Sequence, residues 1–157
     1  MKRLFLDTDV LIDYLSDRQP FNEFAGQLFS TAIKQKWVLY VSAISFDNIY
    51  YVLRRNGIGH LDAIRAIKKM NEFTSIVTID ADTIHHALNS EFKDFEDAIQ
   101  YSAALQVGAV DFFITRNTKD YKRSEIQILS PELFLANRSE EHTSELQSPC
   151  NLVCRLL

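Results

Sequence analysis

Cysteine is scarce: the two residues, Cys150 and Cys154, both lie near the end of the 157-residue chain. Neither a disulfide framework nor a zinc site therefore organises the fold. Also missing is any apolar run approaching the roughly 20 residues of a membrane span. The amino terminus enters a strand pattern at once, unlike a secretory signal. These absences make a cytoplasmic protein with no membrane partner the expectation. A positive excess is lacking too, since the formal net charge is −4, and the chain carries no overall electrostatic footprint for nucleic acid. That sum does not exclude nucleic acid, because carboxylates gathered in one metal site lower the total while a basic rim can still dock the polymer.

What is present is an ordinary globular composition, 46% apolar and 24% charged, in a length that suits one domain with a substantial core. The first dozen residues stand out. Leu4, Phe5 and Leu6 form a short unbroken apolar run, as a strand covered on both faces requires, and it stops at Asp7. A carboxylate at the carboxyl end of a buried parallel strand sits where open α/β sheets place their ligands. Asp7 is therefore a candidate for chemistry, against the simpler role of capping the next helix; Thr8 is a candidate cap as well.

The rest alternates between strand and helix patterns. Val10, Leu11, Tyr14 and Leu15 keep helical spacing until Ser16 to Pro20 break it, and Phe21, Phe24, Ala25, Leu28, Phe29 and Ala32 give a second helix a wide apolar face. Trp37 to Val41 reads as a strand. Ser42 to Leu53 reads as a helix stopped by Arg54, Arg55, Asn56 and Gly57. A helix over Leu61 to Met70, with Ile64 and Ile67 at helical offsets, precedes a strand over Ser75 to Ile79 and a helix over Asp80 to Leu88. His85 and His86 on that helix point in different directions, so both are assigned to the surface. Phe92 to Ala98 opens a helix that ends near Gly108. Val110 to Thr115 and Ile126 to Leu129 read as strands, and Ser130-Pro131 as a helix start. This order predicts a three-layer α/β/α fold with a mostly parallel central sheet.

From Arg138 the apolar periodicity ends, and Arg138 to Pro149 resembles a translated sequencing-library adapter. The expectation is a domain over residues 1–137 and a non-native tail over 138–157, which would make His142, Cys150 and Cys154 incidental.

Acidic residues fall at element ends. Asp7 follows the first strand, Asp94 and Asp97 open a helix with three-residue spacing that puts them on one face and turns Glu96 away, and Asp120 lies in the loop after Thr115. Asp94 also fits a simple N-cap. Carboxylates from such distant segments repel one another unless a cation joins them, and hard oxygen donors suit Mg²⁺ or Mn²⁺.

Four segments, taken together and in order, resemble a PIN domain, the nuclease fold of VapC-type toxins. They are Leu6-Asp7-Thr8-Asp9-Val10-Leu11, the stretch from Ser42 to Arg55, Asp94-Phe95-Glu96-Asp97-Ala98, and Phe113 to Tyr121. The resemblance puts the family's first acid on Asp7 and its third on Asp97. The second falls on Asn48 and the fourth on Asn117, both departures from an acid, with Asp120 the nearest replacement for the fourth. It implies a Mg²⁺- or Mn²⁺-dependent endoribonuclease in which Asp7, Asp97 and Asp120 hold the metal and Asn48 and Asn117 complete the catalytic set. Thr8 and Thr115 would orient carboxylates through hydrogen bonds. Thr115, Arg116 and Lys119 would face the RNA, with Lys122 and Arg123 nearby; Arg54 and Arg55 suit helix-end roles better. A homodimer neutralised by a small antitoxin protein is implied as well, with Tyr14, Phe21, Phe24, Tyr50 and Tyr51 either at such interfaces or in the core. Two alternatives stand beside it: a degenerate PIN domain that binds RNA or protein without cutting, and a haloacid-dehalogenase-type phosphatase read from Asp7-Thr8-Asp9. The second lacks the expected Thr or Val at Leu11 and a Gly before Asp94 or Asp97.

Overall fold

The computed structural model describes residues 1–122 and 124–141. Its strands are β1 (Arg3–Leu6), β2 (Val38–Ser42), β3 (Ser75–Val77), β4 (Phe112–Ile114) and β5 (Gln127–Leu129). They form one sheet in the order β3-β2-β1-β4-β5, and every pairing is parallel. The helices are α1 (Thr8–Leu15), α2 (Phe21–Lys34), α3 (Ala43–Arg55), α4 (His60–Asn71), α5 (Ala81–Leu88), α6 (Phe95–Val107) and α7 (Pro131–Glu141), with a short 3₁₀ turn over Thr118–Tyr121.

Strand alternation sorts the apolar side chains into two cores. Leu4, Leu6, Leu39, Val41 and Ile114 pack with α1, α2, α3, α4 and α7 on one face. Phe5 and Phe113 stack at 5.1 Å on the other face, where α6 and Tyr121 cover them. This is the three-layer α/β/α architecture that the sequence predicts. The all-apolar run of β1 is explained by its place at the centre, since Leu4, Phe5 and Leu6 are fully buried.

From β1 the chain moves outward through β2 to β3, then returns to lay β4 on the other side of β1. The direction of winding therefore reverses between β1 and β4, which opens a crevice beyond their carboxyl ends. Asp7 and Thr115 are the first residues past those two ends. The Asp7 amide still donates to the Ile114 carbonyl at 2.9 Å, so the two strand exits are fixed against each other.

Several sequence expectations shift in detail. Helix α4 starts at His60 and buries Ala63, Ala66 and Met70, while Ile64 and Ile67 are only partly covered. The small alanines allow close approach to α3, so the larger side chains sit at the edge of the contact. Helix α6 begins at Phe95, later than the acidic run implied, because Asp94 stays extended and its carboxylate accepts from the Glu96 and Asp97 amides. Helix α7 runs to Glu141, past the change in sequence character, and the Arg138 guanidinium lies over the Trp37 ring at 4.7 Å. Arg123, His142, Cys150 and Cys154 lie outside the described residues. No described helix is long and apolar enough to cross a membrane.

Candidate active site

Asp7 occupies the N-cap position of α1, yet its side chain makes no capping hydrogen bond. Its oxygens are engaged across the crevice. Thr115 Oγ1 donates to Oδ2 at 2.6 Å, and Gln100 Nε2 donates to Oδ1 at 2.9 Å. A carboxylate held by two donors from other elements is oriented for something beyond helix capping. Thr8 is no cap either. As the first residue inside the helix, it donates both its amide and its hydroxyl to Gln100 Oε1, at 3.0 and 3.1 Å, and its hydroxyl also meets Ser45 Oγ at 2.8 Å.

Gln100 is thus the hub of the buried part of the site, and it escaped the sequence reading. With its oxygen committed to Thr8, its nitrogen must face the acids, where it also reaches Glu96 Oε1 at 3.3 Å. Glu96 consequently faces the crevice, contrary to the helical-wheel expectation. It stands one turn before Gln100 on α6, and a long side chain in a first turn can reach back along that face. The sequence signal was a lone amide within Ala98-Ile99-Gln100-Tyr101-Ser102-Ala103-Ala104, all of it buried.

Asp97 and the loop after β4 form the outer part. Asn117 donates its amide proton to Thr115 Oγ1 at 3.0 Å, while its side-chain nitrogen lies 3.5 Å from Asp97 Oδ2 and also donates to Asp120 Oδ2. Asp7, Asp97, Asp120, Asn117 and Thr115 therefore come to one rim of the sheet through linked hydrogen bonds. Asn48 lies half-buried on α3, three residues after Ser45 and so on the same helix face, without a hydrogen bond to these acids. Asp47 is exposed.

The cations divide. Lys119 and Lys122 are exposed beside the crevice. Arg116 instead turns inward, with Nε 2.7 Å from Asp13 Oδ2 and 3.5 Å from Asp9 Oδ2, and its guanidinium over the Phe21 ring at 4.6 Å. Arg54 donates to the Ile58 carbonyl at 3.0 Å, a helix-end role. His85 and His86 are exposed, as expected. Phe21 and Tyr51 are exposed, whereas Tyr14, Phe24 and Tyr50 are partly covered.

The electrostatics show a site with more negative charge than its surroundings balance. Burial, followed by the charges of Asp7 and Asp94, pushes Asp97 up to about 7. Burial likewise raises Asp7 against the hydrogen bonds from Thr115 and Gln100, and burial with Asp7 raises Asp9 to about 8. The Tyr121 hydroxyl, buried and lacking a well-formed hydrogen bond among the described residues, faces these acids and is raised chiefly by its burial.

Among the described residues, no three His, Cys, Asp or Glu side chains gather into a ready-made ligand cage. A small hard cation that keeps much of its water takes only one or two carboxylates directly, and Asp7 and Asp97 are the carboxylates on which such an ion would depend. Raised acids in a shared crevice and an orphaned hydroxyl beside them fit such a hydrated ion.

Residues 3–119 match the profile of the PIN domain family. The chain is 25% identical over 138 residues to ribonuclease VapC1 of Aquifex aeolicus (strain VF5), a match that covers 85% of this chain and 93% of that one. Its fold is similar to that of VapBC2 from Rickettsia felis, solved bound to a DNA fragment from their promoter, with a TM-score of 0.63 at 12% identity over 82% of this chain and 98% of that one. It is also similar to Mycobacterium tuberculosis VapC20, a sarcin-ricin loop cleaving toxin, with a TM-score of 0.56 at 16% identity over 70% of this chain and 86% of that one. The matched span runs from β1 into the turn after β4 and so takes in every strand that shapes the crevice, with Asp7, Glu96, Asp97 and Asn117 inside it: the chain belongs to the PIN domain family.

Proposed function

We propose that this protein is a divalent-metal-dependent endoribonuclease, the toxin of a toxin-antitoxin pair, with residues 1–137 as the nuclease domain. The observation that carries the reading is the Asp7 carboxylate, buried at the point where the sheet reverses and held by Thr115 and Gln100 rather than used as a cap. Asp7 and Asp97 are the residues proposed to hold Mg²⁺ or Mn²⁺, with Asp120 and the side-chain carbonyl of Asn117 contributing through water. Such an ion, when bound, activates a water for attack on a phosphodiester and neutralises charge on the phosphoryl oxygens. The chain itself orients the acids. Thr115 and Gln100 fix Asp7 from two directions, and Asn117 ties Asp97 to Asp120. Lys119 and Lys122, both exposed, are the residues proposed to hold the phosphates of an RNA strand across the rim.

The relatives named ribonuclease VapC1 and sarcin-ricin loop cleaving toxin support an RNA substrate. The VapBC2 structure supports a small antitoxin as partner. Exposed Phe21 and Tyr51 offer apolar surface for that protein or for a homodimer in the cytoplasm.

A second reading rests on Asn48 and Asn117. Two neutral residues at positions where the family resemblance calls for acids weaken the hold on a divalent ion, and a non-cutting RNA-binding domain is the result if that hold is lost. Calorimetry with Mn²⁺ and an RNA cleavage assay separate the two. The nuclease binds Mn²⁺ and cuts, Asp7→Asn abolishes both, and Thr115→Val weakens Mn²⁺ binding by about 10- to 100-fold. Wild-type protein that binds RNA but shows no Asp7-dependent uptake of Mn²⁺ supports the non-cutting domain.

A further inference from the structure

We infer that Asp13, Asp9 and Arg116 form a clamp that positions the Thr115-Arg116-Asn117 tripeptide, so that Arg116 serves the site by holding its neighbours in place rather than by touching RNA. The inference deepens the nuclease reading and rests on it for the metal.

The geometry is specific. Asp13 lies on α1, six residues beyond Asp7, and is almost entirely buried. Its Oδ2 sits 2.7 Å from Arg116 Nε. Asp9 lies on the same helix one turn earlier, and its Oδ2 accepts the Arg116 backbone amide at 3.2 Å while standing 3.5 Å from Nε. Phe21 closes the outer side with its ring under the guanidinium. Arg116 is therefore held by side chain and main chain together, from α1 and α2.

The two residues that flank it do the work on the other side. Thr115 donates to Asp7, and Asn117 bridges Asp97 and Asp120. With Arg116 fixed, the backbone between them cannot slide, and the Asn117 amide keeps its bond to Thr115 Oγ1. Helix α1 thereby joins the crevice twice, through Asp7 at its cap and through the clamp within it. A guanidinium suits this post because its Nε can stand beside both acids while its plane stacks on the Phe21 ring, which an ammonium cannot do. Asp13 is almost fully buried and Asp9 half-buried, and one oxygen of each, like Arg116 Nε itself, lacks a well-formed hydrogen bond among the described residues, so the cluster is held by the charge pair with Asp13 and by the Arg116 amide bond to Asp9.

A direct phosphate role for Arg116 makes the opposite prediction. Asp13→Asn would then release the guanidinium toward RNA.

The test compares wild type, Asp13→Asn and Arg116→Lys, the lysine variant keeping the charge in case the asparagine variant folds poorly. Three readouts are taken on the full chain: Mn²⁺ affinity by calorimetry, hydrogen exchange at the Arg116 and Asn117 amides, and metal-free RNA binding as a function of salt. The clamp predicts that each variant weakens Mn²⁺ by about 10-fold, speeds exchange at both amides beyond any global change, and leaves RNA binding and its salt slope as in wild type. Unchanged Mn²⁺ affinity and exchange with a lowered Tm would reduce the cluster to a core ion pair. Tighter RNA binding with a steeper salt slope in Asp13→Asn would assign Arg116 to phosphate. Wild type that takes up no Mn²⁺ sinks the nuclease reading alone, and amide exchange then decides the clamp: faster exchange sustains it, unchanged exchange overturns it.

Discussion

At the scale of single residues, the chemistry is concentrated in groups whose neighbours define them. Gln100 turns its oxygen to Thr8 and its nitrogen to Asp7, and its replacement by Leu leaves the Thr8 amide and Asp7 Oδ1 without a partner, while the Thr8 hydroxyl keeps Ser45 and Asp7 Oδ2 keeps Thr115. We expect Gln100→Leu to cost about 1–3 kcal/mol in stability from that unpaired burial and to weaken Mn²⁺ by about 10- to 100-fold, read by urea unfolding and calorimetry. A variant with wild-type Mn²⁺ affinity would show that Thr115 alone orients Asp7. Asp7 was legible in the sequence because the apolar run of β1 stops at it, and Asp97 because its three-residue spacing from Asp94 sets it on one face of a helix start. Gln100 and Glu96 were not, because a helix wheel gives the phase of a side chain but not which face meets the crevice. Arg116 read as a rim cation because sequence spacing does not tell whether a residue just beyond a strand faces solvent or the neighbouring helix.

At the scale of elements, helix ends place the acids. Asp94 is exposed and does only what an N-cap does, accepting from the Glu96 and Asp97 amides at 2.8 and 3.2 Å. Asp94→Ala should therefore cost about 1 kcal/mol in thermal or urea unfolding and loosen the first turn that carries Asp97. Helix α6 stops at Gly108, whose φ of 66° is left-handed. A Cβ there meets open space, so Gly108→Ala should cost about 1 kcal/mol from backbone conformation alone. A full loss of folding would contradict that. These boundaries were nearly readable, since cap and stop residues are local signals. The inner face of α4 was not, because alanines that pack closely look unremarkable beside Ile64 and Ile67 in the sequence.

For the whole molecule, the crevice ties stability to pH. Asp97, raised to about 7, and Asp9, raised to about 8, keep protons in the folded chain that an ordinary carboxyl releases near 3.8. Between those values the folded state binds more protons than the unfolded one, so stability falls as pH rises through this window. Asp80, lowered chiefly by its bond from the Thr83 amide, acts in the opposite sense, but its contribution is lost only on acidification below its ordinary value of 3.8, outside that window. In EDTA the Tm should accordingly decline from about pH 4 to about pH 8. Mg²⁺ should restore more stability at the upper end, where the acids are free to bind it. A Tm that climbs across the same range in EDTA would mean that the acids are already neutralised by something else. The parallel layered fold was legible because alternating strand and helix patterns leave few arrangements. The strand order was not, since nothing local says on which side of β1 the fourth strand will settle.

That order sets a timetable for the ribosome. A chain synthesised only as far as Val107 already contains Asp7 and Asp97, but one wall of the crevice, with Thr115, Asn117 and Tyr121, is still missing from it. On the proposed nuclease reading, a product that stops short of β4 lacks that wall and should neither hold the metal nor cut RNA.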